Sequence, residues 1–185
     1  MKKLRLDMPA VIAPMPEHKL IKDNILNLIN LDTTAERIYE EGSSTLDITR
    51  CDYKTSLEPR TWTTELQPYM MSVMKDVYAE LGYQTFNIHN IWFQQYQKGS
   101  THGWHVHTKC QWTNVYYLDM PVNAPKTQLI NPWNQKDIIE MDVKEGDVLT
   151  FPSFVIHRAP VNTSSKLKTI ISFNSDSEIQ TSVYK

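Results

Sequence analysis

Glycine is scarce, with 5 in 185 residues, and neither GxGxxG nor GxxxxGK[ST] occurs, so the chain has no loop built to cradle a phosphate. Cysteine is scarcer still. Cys51 and Cys110 are too few for a disulfide scaffold, and a reducing, cytoplasmic setting is the expectation. There is no basic excess. The 19 Lys+Arg stand against 21 Asp+Glu, a net charge of −2, which argues against general nucleic-acid binding. No stretch approaches the ~18 consecutive apolar residues of a membrane span. The N-terminus, MKKLRLDMPAVIAPMPEHK, is basic, but Asp7 and three prolines break any apolar run, so it lacks the core of a signal peptide. What remains is an ordinary globular balance, 41% hydrophobic and 22% charged, at a length that suits one domain over 1–185.

Residues 1–20 read as an extended lead-in. Ile21, Ile25, Leu28 and Ile29 recur at helical spacing and predict a short amphipathic helix over about 20–31. A second helix is expected over about 64–81, with Leu66, Met70, Val73, Met74, Val77 and Leu81 on one face and Gly82 as its stop. With Thr64 as N-cap, Pro68 falls in its first turn. A strand is possible near Thr45–Thr49. After Gly82 the character changes to aromatic and β-branched residues. Strands are expected at Phe86–Gln97, Trp112–Leu118, Asp137–Val143, Asp147–Phe151 resuming over Phe154–His157, and Lys168–Asn174. Helices followed by closely spaced strands predict an α+β fold, with helices packed against an antiparallel sandwich or barrel. Residues 1–85 form the helical support and 86–175 the β core.

Three of the six histidines fall within His102–His107, HGWHVH. In extended chain, residues i and i+2 project from one face, so the imidazoles of His105 and His107 can converge. A third ligand has to come from far away, and His157, ending FPSFVIH, is the candidate. A lone histidine is more often a surface or hydrogen-bonded core residue. An HxH pair with an isolated third histidine several strands later is more specific, yet spacing alone does not separate an iron oxygenase from a zinc-binding cupin.

The segment Trp104–Leu118, WHVHTKCQWTNVYYL, resembles the core motif of the 2-oxoglutarate and Fe(II)-dependent oxygenases of the prolyl-hydroxylase-like superfamily. Gly146–Asn174, GDVLTFPSFVIHRAPVNTSSKLKTIISFN, resembles the second half of the same family, and the two motifs agree in order and spacing over roughly 86–174. The resemblance implies a double-stranded β-helix (jelly roll) with the N-terminal helices packed against the sheet. It implies Fe(II), 2-oxoglutarate and O2 as cofactors, with succinate and CO2 released as a substrate C–H bond is hydroxylated. Carried over residue by residue, His105, His107 and His157 are the metal ligands. Lys168 falls where the superfamily places a basic residue for the distal carboxylate of the cosubstrate. Tyr96, Tyr117 and Asn174 are further cosubstrate candidates, with Gln94 on the same face as Tyr96. No catalytic residue is expected beyond the ligands.

Two departures stand out. The commonest facial triad has two histidines and a carboxylate, whereas here the second position is His107. The usual Arg is replaced by Lys168, a point charge in place of a bidentate fork; Lys166 and Arg158 are alternatives. His102, Trp104 and Trp133 are candidate substrate contacts, the last in the proline-rich stretch Met120–Lys136. Two other readings compete. One is a three-His cupin-type metalloprotein or thiol dioxygenase that does not use 2-oxoglutarate. The other is a binding module that kept the barrel and lost the chemistry. The substrate, a protein side chain or a small molecule, stays open.

Overall fold

A computed structural model describes residues 8–178. Residues 1–7 of the expected lead-in, and 179–185, lie outside the described residues. Eleven strands join in antiparallel pairs to form one curled sheet, and two helices pack on it, a jelly-roll-like arrangement. No helix among the described residues is long and apolar enough to cross a membrane.

The chain opens with β1 (Val11–Pro14), α1 (His18–Leu31), β2 (Glu36–Tyr39) and β3 (Leu46–Cys51), then a 3-10 turn (Tyr53–Thr55) and α2 (Thr61–Glu80). It continues with β4 (Thr85–Tyr96), β5 (Thr101–His105), β6 (Trp112–Asp119), β7 (Gln128–Ile130) and β8 (Ile138–Glu140). It closes with β9 (Asp147–Pro152), β10 (His157–Ala159) and β11 (Lys168–Glu178). The sheet order is β1-β9-β6-β11-β4-β3-β5-β10-β7-β8, with β2 on β3. Its spine is the long β11–β4 ladder, interrupted by one register shift between Asn174 and Ser175.

Both helices follow the apolar spacing of the sequence. α1 buries Ile21, Ile25 and Ile29, four residues apart. α2 buries Trp62, Leu66, Met70, Val73, Met74 and Val77 along one face. It starts earlier than expected: Arg60 is the N-cap, and its backbone N–H donates to Thr63 Oγ1 at 2.8 Å. Pro68 therefore lies inside the helix, two turns from its start, and not in the first turn. The ring removes the N–H that the Thr64 carbonyl would use. Both residues face solvent, so water can take that carbonyl. The helix stops as expected. Gly82 adopts φ +83°, and the Tyr83 N–H donates back to the Tyr78 carbonyl at 2.8 Å.

The strands between the layers are buried on both faces, and alternation assigns their side chains to two cores. On β6, Tyr116 and Leu118 meet the helices, while Val115 and Tyr117 face the interior of the curl with Tyr96, Leu149, Phe151 and Ile170. Two expectations need correcting. The strand over Asp137–Val143 shrinks to Ile138–Glu140, an exposed hairpin arm. The chain does not resume as a strand at Phe154; it turns, and β10 begins at His157. β1, β2, β5 and β7 were not expected. Each is three to five residues long and held mainly by cross-strand pairing, so its own periodicity is too short to read.

Candidate metal centre

β5 carries the HGWHVH segment, and β10 lies antiparallel beside it with His157 directly opposite His105. His107 follows β5, its N–H bonded to the Ser153 carbonyl at 3.1 Å. Ring centroids are 4.2 Å apart for His105 and His157, 5.1 Å for His107 and His157, and 5.4 Å for His105 and His107. One ring nitrogen from each lies within 4.8 Å of the others.

The outer hydrogen bonds fix which nitrogen is free. His105 Nδ1 lies 2.7 Å from the Gly103 carbonyl, His157 Nδ1 2.9 Å from the Val155 carbonyl and His107 Nδ1 2.5 Å from Asn174 Oδ1. Each oxygen accepts, so each Nδ1 carries the proton and each Nε2 keeps its lone pair. That is the arrangement a metal-ligating histidine needs. Burial holds the rings neutral. It pushes His105 down to about 4 and His157 to about 2, and it lowers His107 against the opposing pull of the Asn174 bond. Three neutral imidazoles are a donor set that fits a divalent iron.

His102 joins this cluster by a route the sequence hides. It lies three residues from His105, on the opposite face of a regular strand. The β5–β10 register shifts, with His157 against His105 but Ala159 against His102, so β5 carries an extra residue. The bulge turns His102 inward, where it stacks on His105 at 3.7 Å and 14°. Gly103 permits this. Its N–H donates to the Thr45 carbonyl at 2.6 Å, and a Cβ would lie 2.7 Å from that same oxygen. His102 Nδ1 faces the Gln94 amide nitrogen at 3.4 Å and accepts from it, the reverse of the other three rings. Burial lowers His102 to about 3.

These rings make the apo protein acid-sensitive. Each is neutral when folded and protonates near pH 6.5 when unfolded. The stability they confer is complete above pH 6.5 and declines as pH falls through 6.5 toward 4. Between pH 7.5 and 5.5 the metal-free protein should lose of order 1 kcal/mol per ring. Thermal melts at the two values check this; an unchanged Tm would mean that water reaches the rings.

Two cavities meet at the cluster. An inner recess of about 30 Å³ runs behind the histidines, past Gln94, Tyr96, Thr113, Thr127 and Arg158. The Tyr96 hydroxyl and Thr113 Oγ1 on its wall are buried without a hydrogen-bond partner. Such groups are costly unless something binds them. β11 presents Ile170 and Ser172 to the recess, and Lys168, two residues before Ile170 on the same strand face, is 2% exposed. Its Nζ donates to the Pro125 carbonyl at 2.6 Å and sits 5.8 Å from the Tyr117 ring, and among the described residues it has no ion-pair partner. Burial pushes Lys168 down to about 8. Orphaned hydroxyls and a buried cation without an anion suit a dicarboxylate.

The remaining candidates separate cleanly. Tyr117 lies beside Lys168 and donates to Thr127 Oγ1 at 2.6 Å. Asn174 holds His107 and lines the outer cavity. Arg158 reaches the recess; its guanidinium lies 4.3 Å over Trp104, and its Nε donates to Gln128 at 2.9 Å. Lys166 is exposed and lines a different cleft, beside Lys22 and Asp119. Trp133 is exposed in the turn between β7 and β8 and lines neither cavity. The outer cavity, about 300 Å³, takes part of its wall from the N-terminal support region: Ile38, Leu46, Ile48, Cys51 and Tyr53. No local pattern marks them, because β3 meets β4 and β5 only in the folded sheet.

A jelly-roll-like sheet thus brings three histidines together in a group that could hold a metal ion. Residues 90–174 match the family described as "Putative 2OG-Fe(II) oxygenase". The matched stretch is 85 of the 185 residues, and over it the chain is similar to that family; the 2-oxoglutarate-independent reading is not favoured. The fold is similar to an oxidoreductase of the 2OG-Fe(II) oxygenase family from Burkholderia pseudomallei (TM-score 0.67, 13% identity, covering 90% of this chain and 84% of that one). It is similar to a Pseudomonas putida prolyl-4-hydroxylase (0.63, 12%, 90% and 92%). It is also similar to the epimerase SnoN in complex with Fe3+, alpha ketoglutarate and nogalamycin RO (0.66, 11%, 90% and 78%). At these identities the likeness is one of fold alone. No curated protein matches the chain in sequence.

Proposed function

We propose that the chain is a single-domain hydroxylase, a double-stranded β-helix that holds Fe(II) through Nε2 of His105, His107 and His157. The observation that carries this is the convergence of the three rings with every Nδ1 already bonded to an oxygen. Bound there, iron supplies O2 activation coupled to decarboxylation of the cosubstrate, with the balance R–H + 2-oxoglutarate + O2 → R–OH + succinate + CO2.

The chain's own residues divide the remaining work. Asn174 fixes the tautomer and plane of His107, and so acts on the metal through its ligand and not on the cosubstrate. The Tyr96 hydroxyl and Thr113 donate to the cosubstrate in the recess. Lys168 would hold its distal carboxylate, and Tyr117, held by Thr127, walls the ammonium in. The recess of about 30 Å³ has room for little more than a water, so side chains on its wall would have to move for a dicarboxylate to be held there. His102, which lines both cavities, stands toward the substrate; Trp104 lines neither and supports the Arg158 guanidinium 4.3 Å above it.

Anaerobic titration of the Fe(II) protein with 2-oxoglutarate tests the reading. A visible charge-transfer band should appear, and succinate should be released once O2 is admitted. Iron binding with no band would overturn the 2-oxoglutarate assignment.

A further inference from the structure

The outer cavity has a composition that selects its occupant. At about 300 Å³ it is within the size range of small-molecule sites. Ile38 from β2, Leu46, Ile48 and Cys51 from β3, and Trp92 from β4 form its walls, with His105 and His107 at its inner end. No Asp, Glu, Lys or Arg lines it. Its two amides are already engaged: Gln94 with Ser172 and His102, Asn174 with His107. Trp92 meets Tyr53 edge-on at 5.0 Å on one side and the His107 ring at 5.6 Å on the other, so a continuous aromatic wall runs inward to His107. The lip is uncharged as well, with Tyr53 50% and Val106 42% exposed beside Thr108.

We infer that the substrate presents an uncharged hydrocarbon ring to the metal centre, and that Ile38, Ile48, Tyr53 and Trp92 select it. The inference rests on the reading of His105, His107 and His157 as the metal site, since that reading makes the cavity the substrate's approach. A carboxylate or ammonium entering here would lose its hydration and find no counter-charge. A ring would face aliphatic side chains on one side and aromatic edges on the other, the contacts rings favour. It would also bring C–H bonds, and little else, beside His107.

Three probes with one ring system and different charges test this on the metal-free protein, where no probe can ligate a metal. They are 1-naphthaleneacetamide, 1-naphthaleneacetate and 2-(1-naphthyl)ethylamine, with binding measured by calorimetry. The amide should bind at least tenfold more tightly than either ion. Ile38→Asp, on the two-stranded margin formed by β2, should weaken the amide at least tenfold. Tyr53→Ala, an exposed position in the 3-10 turn, should weaken it severalfold and stands in if Ile38→Asp does not fold. Equal binding of the three probes, no binding of the amide, or unchanged affinity in the variants overturns the inference. A separate Ni(II) titration keeps the two readings apart. Wild type and both variants should bind Ni(II) alike. Failure of wild type to bind Ni(II), with selective amide binding retained, would sink the metal site and leave the apolar selectivity standing.

Discussion

Replacing His157 by alanine is expected to abolish tight Fe(II) binding and with it 2-oxoglutarate turnover. His157 is 4% exposed, and its Nδ1 is held by the Val155 carbonyl, so its Nε2 is already aimed at the point shared with His105 and His107. Removing it leaves His105 and His107, and among the described residues no carboxylate belongs to the cluster to replace it. Neighbouring substitutions should give a graded series. Asn174→Ala removes an oxygen that orients His107 and should cost about 10–100-fold in metal affinity, the usual effect of losing such a partner. His102→Ala should change metal affinity little, because the His102 Nδ1 accepts from Gln94 and the ring is not poised as a ligand. Metal titration by calorimetry, with circular dichroism to show that each variant folds, checks the order. A His157→Ala protein that binds iron as wild type does would remove this ligand set.

The second large effect is expected at Lys168. Lys168→Met should weaken 2-oxoglutarate by about 2 kcal/mol, or roughly 30-fold, the loss typical of a buried charge-paired hydrogen bond. Metal affinity should not change. The stability of the free protein should hold or rise, and the sign follows from the shift. Burial pushes Lys168 down to about 8 from an ordinary value near 10.5, so the folded state disfavours its charged form. The ammonium thus costs stability at neutral pH, a cost relieved as pH rises through about 8. The same shift gives a pH signature. Wild-type affinity for 2-oxoglutarate should fall as pH rises through about 8, where the free protein loses this charge, and the fall should vanish in Lys168→Met. Anaerobic titrations from pH 7 to 9 in both proteins read this directly. A neutral Lys168→Met beside a strongly impaired Arg158→Ala would move the carboxylate anchor to Arg158, whose side chain also lines the recess.

Where the sequence was legible, the signal was local. Four-residue spacing marked the buried faces of both helices, and two-residue alternation placed Tyr116 and Tyr117 on opposite sides of β6. The same alternation, applied to HxH, brought His105 and His107 together. It does not reach His102, because a bulge against β10 adds a residue that no pattern within β5 announces. Pro68 misled for a related reason. A proline in a helix interior breaks the usual rule, and it is tolerated here because the position faces water.

The sequence by itself determined the helices, the main strands, the three candidate ring ligands and the family resemblance, since all of these rest on residue type and short spacings. Only the tertiary structure decided that His102 turns inward, that Lys168 lies buried without an anion while Lys166 faces solvent, and that β2 and β3 wall the cavity outside the metal site. Those outcomes depend on register between segments up to a hundred residues apart. Register is set by how every strand shares its hydrogen bonds and its two faces with its neighbours, and no single segment carries that information.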